Sequence, residues 1–188
     1  MGSIKTKNVH HYIFMVLLME RESYFHCLSE SNNMYSLNWS RVELNNRQKL
    51  GYFGEYYAKM SLASYGMSIY TAEVDDHGID FVAETTKGFL KFQVKTVRSE
   101  TGYVLVKKDK FDILDKALFM ILIRLTDGQH PAMYIIPTSA WEDVTKTAFV
   151  SRQYDGMKST PEYGINLSKK NLVQLEEYEL EKFINKIQ

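Results

Sequence analysis

Three polar residues in one short stretch carry the chemistry that this sequence offers: Asp80, which follows Gly78 and Ile79, and the pair Gln93 and Lys95. Residues 89–97 alternate apolar Leu90, Phe92 and Val94 with polar Lys91, Gln93 and Lys95, the two-residue period of a strand with two unlike faces. Ile79 to Glu84 reads as the strand before it, and Thr85, Thr86, Lys87 and Gly88 supply turn chemistry. A turn centred between Thr86 and Lys87 sets Asp80 opposite Gln93, with Lys95 on the same face two residues along. A carboxylate, a carboxamide oxygen and an ammonium then converge at one end of a sheet, while Ile79, Phe81, Leu90, Phe92 and Val94 bury the reverse face.

Phosphodiester hydrolysis needs such a group. A hard cation such as Mg²⁺ prefers oxygen ligands and takes one or two protein carboxylates, keeping positions for water and a phosphate oxygen. Asp80 can anchor it, and Gln93 can add a neutral oxygen that attracts the cation less than a carboxylate would. Bound metal lowers the pKa of water, and an ammonium such as that of Lys95 can orient the nucleophile or stabilise charge on the phosphoryl oxygens. Local charge agrees with this assignment. Glu73 to Glu84 holds five acids and no Lys or Arg, whereas Lys87 to Lys110 holds seven bases against Glu100 and Asp109, a net of +5. A cation pocket would lie beside a phosphate-facing strip.

The elements that must position these residues follow from periodicity. Leu50, Phe53, Gly54, Tyr57, Ala58, Ser61, Leu62 and Tyr65 mark an amphipathic helix, with Gly66 as its stop. Strands are predicted over Met67 to Glu73, over the two arms of the hairpin, and over Tyr103 to Val106. Phe111 to Leu114 reads as a helical turn or short helix. Ala117 to Leu125 is apolar enough for a buried strand, and Met133 to Ile136, closed by Pro137, forms a second hairpin with it. Ser139 is placed to cap a helix over Ala140 to Lys146, Gln153 to Gly164 reads as a long loop, and Ser168 caps helical segments that run to the C-terminus. Helix, strands, two hairpins and further helices amount to mixed α/β, with helices packed on a central sheet.

The order Gly54-Glu55 on a helix, Gly78-Ile79-Asp80 on a strand, a turn, and then Gln93-Val94-Lys95 resembles the PD-(D/E)XK nuclease superfamily. That superfamily includes restriction endonucleases, archaeal Holliday-junction resolvases and some homing endonucleases. The resemblance spans roughly Leu50 to Trp141, takes in the Tyr134-Ile135-Ile136-Pro137 strand, and is nearest to compact bacterial members of uncharacterised role. It implies an α/β restriction endonuclease-like fold with a central mixed sheet flanked by helices. It implies a metal site of Asp80, Gln93 and Glu55, Lys95 as catalytic lysine, and Glu55 as the helix-borne acid. The activity implied is Mg²⁺-dependent DNA hydrolysis, with Mn²⁺ as a substitute, RNA left open as a substrate, and a homodimer addressing two strands. Gln93 stands where the superfamily has an acid, although a few of its nucleases resemble this chain in using Gln. The alternative reading is a catalytically impaired nuclease-fold module that binds nucleic acid or a protein partner.

The totals bound these expectations. The chain has 188 residues, 45 % of them hydrophobic, enough for one domain with a core. Residues 39–188 are expected to form it, with 1–38 as an N-terminal extension. Lys plus Arg and Asp plus Glu each number 23, so whole-molecule charge argues for no partner. Cys27 is the single cysteine, which excludes an internal disulfide and a cysteine-based zinc site and fits the cytoplasm. The apolar run Tyr12 to Met19 is too short to span a membrane and is followed by Glu20, Arg21 and Glu22 rather than small residues. Singly, each motif has a plainer explanation: Asp80 as a strand-entry residue, Gln93 and Lys95 as an exposed strand face, Glu55 as a solvated neighbour of the buried stripe. Lys107, Lys108 and Lys110 read as a solvated face, Asp75, Asp76 and His77 as a turn, and the abundant Tyr and Phe as core. His10 and His11 lack partners for a zinc site.

Overall fold

A computed structural model describes residues 46–71 and 78–188. The expectations for the N-terminal extension, for Cys27, His10 and His11, and for Asp75, Asp76 and His77 lie outside these residues. Helix α1 spans Arg47–Ser64; the Asn46 side chain caps it by accepting from the Lys49 N–H at 3.1 Å. Its apolar stripe is buried at Gly54, Ala58 and Leu62, and Gly66 ends it at φ +85°, the left-handed conformation that glycine adopts without strain.

Among the described residues eight strands follow: β1 (Ser68–Tyr70), β2 (Phe81–Thr85), β3 (Gly88–Arg98), β4 (Tyr103–Lys107), β5 (Leu118–Leu125), β6 (Ala132–Pro137), β7 (Phe149–Arg152) and β8 (Glu162–Asn166). Short helix α2 (Lys169–Leu172) and helix α3 (Leu180–Ile187) close the chain. Five strands form one sheet in the order β1-β2-β3-β5-β6, and three form a second in the order β4-β8-β7. Within the larger sheet β3 and β5 run parallel and the other neighbours antiparallel, so the sheet is mixed, as the resemblance implies, and helices pack on it, as the residue pattern predicts.

The two faces of β3 differ as its alternation requires. Phe81, Phe92 and Phe119 adjoin through ring pairs at 5.2 and 5.9 Å, and Phe183 of α3 meets Phe119 at 6.4 Å. On this same side α1 crosses so closely that a Cβ on Gly54 would sit 1.6 Å from the Thr96 hydroxyl oxygen. Full burial of a side chain such as Phe92 contributes roughly 1.5–3 kcal/mol, so this layer is a main source of stability. From Leu118 to Ile123, β5 is buried at every position, which means that both sides of the sheet are covered there.

Three expectations need correction. The helical turn falls on Lys108–Lys110 rather than on Phe111 to Leu114, because Phe111 is drawn into an aromatic cluster with Trp141 at 5.3 Å. No helix follows Ser139: a single 3-10 turn, Thr138–Trp141, ends where the Asp143 carboxylate accepts from both the amide and the hydroxyl of Thr145. That local bond competes with helical pairing. The stretch read as a loop to Gly164 contains the start of β8, the central strand of the second sheet, whose Gly164 carbonyl accepts from the Trp141 indole at 3.1 Å. Among the described residues no helix is long and apolar enough to cross a membrane.

Candidate active site

The hairpin register holds from Thr85–Gly88 to Phe81–Phe92, as the turn position predicts. There β2 ends, while β3 continues for six residues beyond Phe92 along β5. Asp80 does not pair squarely with Gln93. Its amide donates to the Phe92 carbonyl at 2.9 Å, and its carboxylate accepts from the Val94 N–H at 2.5 Å. The side chain thus takes the place that the next carbonyl of β2 would fill. A charge-assisted bond of this kind is about twice as strong as a neutral one, and it fastens the carboxylate to the peptide between Gln93 and Lys95.

Gln93 is only 5 % exposed, and its carboxamide oxygen is buried without a hydrogen-bond partner. Leaving such an acceptor unsatisfied costs about 1–3 kcal/mol, so the position calls for a donor or a cation. Lys95, next on the same face, is half-buried and makes no hydrogen bond or ion pair among the described residues. Both line one cavity of about 370 Å³, whose walls are Gly78, Gln93 and Lys95 together with Leu105, Val106, Lys107 and Lys110. Gly78 is required here. Its φ is +75°, and a Cβ would stand 2.8 Å from the Gln93 amide nitrogen and 3.0 Å from the Lys110 carbonyl.

Glu55 follows Gly54 on α1, on the Thr96 side of the sheet, whereas Gln93 and Lys95 project from the other. It is half-buried and has no hydrogen bond or ion pair among the described residues. Thr96, which Gly54 meets, lies past the end of β2, where among the described residues no strand pairs with that edge of β3.

The basic stretch 87–110 divides once it is folded. Lys91 pairs with Asp115 at 2.5 Å, Arg98 with Asp127 at 3.5 Å, and Lys87 donates to the Lys186 carbonyl. Lys108 turns away to Ser151 and lies over the Tyr163 ring. Lys107 and Lys110 are exposed, as a solvated face would be, and line the same cavity as Lys95. Sequence alone carried no sign of this, because β4 belongs to the second sheet.

The donor set can be weighed against candidate metals. Among the described residues no group of three His, Cys, Asp and Glu stands together, so a zinc-type centre finds no match there. One fastened carboxylate and an unpartnered carboxamide oxygen fit a small hard cation that keeps most of its water.

Below the site, burial pushes the Asp115 carboxyl up, but the Lys91 hydrogen bond, the Ala117 amide and the Lys91 charge outweigh it and hold it below the usual range. In the second sheet, burial together with the Glu162 carboxylate pushes the Tyr103 hydroxyl up to about 12.

The chain is similar in structure to the Holliday junction resolvase Hjc of Archaeoglobus fulgidus, an archaeal hyperthermophile. The match has 13 % identity and a TM-score of 0.41, and covers 62 % of this chain and 83 % of that one. It is similar also to a bacterial homing endonuclease, I-Ssp6803I, at 13 % identity and a TM-score of 0.43, over 76 % of this chain and 91 % of that one. No protein-family model matches the chain, and no curated protein matches it.

Proposed function

We propose that this protein is a metal-dependent endonuclease that hydrolyses DNA phosphodiester bonds, with Glu55, Asp80, Gln93 and Lys95 as its active-site residues. The observation that carries this reading is the buried, unpartnered oxygen of Gln93 beside Lys95, with the Asp80 carboxylate fastened to the amide between them. Asp80 and Gln93 would hold Mg²⁺ or Mn²⁺, with Glu55 of α1 as a further ligand. When bound, the ion supplies charge neutralisation and a lowered pKa for water. Lys95 donates to a nonbridging phosphate oxygen or orients the attacking water, and its ammonium opposes the charge that builds at phosphorus. Two copies acting together would address the two strands of a duplex.

The test is incubation of purified protein with plasmid and branched DNA in Mg²⁺, Mn²⁺ or EDTA. Metal-dependent nicking that disappears in Lys95→Ala is the expected result; equal nicking by that variant marks the activity as contamination. The neutral Gln93 at a position where an acid would bind a cation harder favours one second reading, a module that binds nucleic acid without cutting it. Salt-sensitive DNA binding with no nicking in any metal selects that reading.

A further inference from the structure

We infer that Gly54 and Thr96 are positioning residues, whose contact sets how far Glu55 stands from Lys95. This deepens the nuclease reading and rests on it for the roles of those two charged residues. Gly54 precedes Glu55 on α1, and Thr96 follows Lys95 on β3. Consecutive Cα atoms are about 3.8 Å apart, so the point where helix and strand touch lies one residue from each member of the proposed site. The touch is tight. A Cβ on Gly54 would fall 1.6 Å from the Thr96 hydroxyl oxygen, 2.8 Å from its Cβ and 3.2 Å from its methyl carbon. Gly51, one turn earlier on the same helix, has open space where its Cβ would be, so the close approach is local to the level of Glu55.

Both partners favour closeness over local stability. Gly54 lies inside α1 with no left-handed φ to require glycine, and a glycine in a helix interior is less favourable than alanine. Thr96 turns its oxygen toward that glycine, and the oxygen is buried without a hydrogen-bond partner among the described residues, which is destabilising. Valine would remove the unpaired hydroxyl, but it would put a methyl group, larger than the oxygen, in the same place. A β-branched side chain is stiff at χ1, so that methyl cannot swing aside, and α1 must move off β3 to make room. What the pair secures is therefore a short distance between helix and sheet at this level. A retreat of α1 at Gly54 carries Glu55 with it, whereas Lys95 stays where β3 pairs with β5, opposite Leu122. Misplacing a reacting group by about 1 Å can cost on the order of 10²-fold in rate, so a displacement of this size is readable in the chemistry.

The experiment is a double-mutant cycle of nicking rates at saturating DNA and Mg²⁺, with wild type, Thr96→Val, Glu55→Gln and Glu55→Gln/Thr96→Val at its corners and Thr96→Ser as the conservative replacement. Thermal melting keeps each assay below the unfolding transition, and DNA binding in EDTA is measured alongside. Thr96→Val should nick about tenfold or more slowly with its DNA Kd unchanged, while Thr96→Ser, which keeps an oxygen in that place, should stay within about threefold of wild type. In the Glu55→Gln background Thr96→Val should change the rate less than about twofold, because the group it displaces is already gone. An equal loss in both backgrounds, no loss in either, a loss that appears in DNA Kd instead of rate, or a Thr96→Ser variant as slow as Thr96→Val overturns the positioning role, while wild-type nicking keeps the nuclease reading. If Thr96→Val does not fold, Gly54→Ala enters the same cycle, since it presses on the same contact from the helix side. Where Glu55→Gln leaves no rate to measure, the cycle is read as Mg²⁺ affinity by calorimetry. Wild type that binds Mg²⁺ without nicking DNA removes the nuclease reading, and coupling or additivity in Mg²⁺ affinity then keeps or overturns the positioning role. Wild type that neither nicks DNA nor binds Mg²⁺ overturns both.

Discussion

The Asp80 carboxylate accepts the backbone N–H of Val94, the peptide link that separates Gln93 from Lys95. This one bond replaces the strand pairing that β2 abandons and holds an acid beside the two polar side chains of the neighbouring face. Its consequence is that Asp80 has a structural and a proposed catalytic role, which substitutions can separate.

Asp80→Asn keeps an oxygen that can accept from Val94, whereas Asp80→Ala leaves that amide unpaired. Metal-dependent nicking should fall on the order of 10²–10⁴-fold in both. Only the alanine variant should also lose about 1–3 kcal/mol in urea unfolding. Full activity in Asp80→Asn would remove the carboxylate from the mechanism.

Gln93→Glu places a carboxylate where the unpartnered oxygen now stands. In EDTA it should lower the melting temperature, since burying an unpaired charge is costly. Mg²⁺ should then restore stability and bind more tightly than to wild type, as calorimetric titration would read. A variant equally stable with and without metal would mean that no cation reaches this oxygen.

Gly54→Ala would ordinarily favour a helix by about 1 kcal/mol. Here the added Cβ meets Thr96 Oγ1 at 1.6 Å and Thr96 Cβ at 2.8 Å, so overpacking should win and destabilise the protein by roughly 1–3 kcal/mol. Thr96→Ala in the same chain should recover part of that loss. A more stable single variant would show that α1 does not rest on β3 as described.

Asp115 tests the support beneath the hairpin, because it ties Lys91 of β3 to the segment entering β5. Its folded-state pKa lies below the unfolded value, so its contribution is present above the ordinary carboxylate range and is lost as pH falls through the depressed folded value. Asp115→Asn should melt below wild type at pH 7, and the two curves should converge as the pH drops below about 4. A constant gap down to pH 2 would show that the ion pair contributes nothing that titrates.

Features set by short-range rules were legible in the residues alone. The turn residues at 85–88 and the alternation of 89–97 specify the hairpin register, since a one-residue slip would exchange the sides taken by Phe92 and Val94 and by Lys91, Gln93 and Lys95. The stripe from Leu50 to Leu62 likewise specifies α1 and its buried side. Features that depend on distant partners emerged only once the chain was folded. Strand β8, with Gly164 pressed against the Tyr103 ring, exists because β4 and β7 flank it, and a five-residue strand of mixed burial has no periodic signal of its own. The turn of Asp80 onto Val94, and the arrival of Lys107 and Lys110 beside Lys95, follow from where β2 stops and where the second sheet lies. Periodicity reports which face a side chain takes on its own element; only packing between elements decides what that face meets.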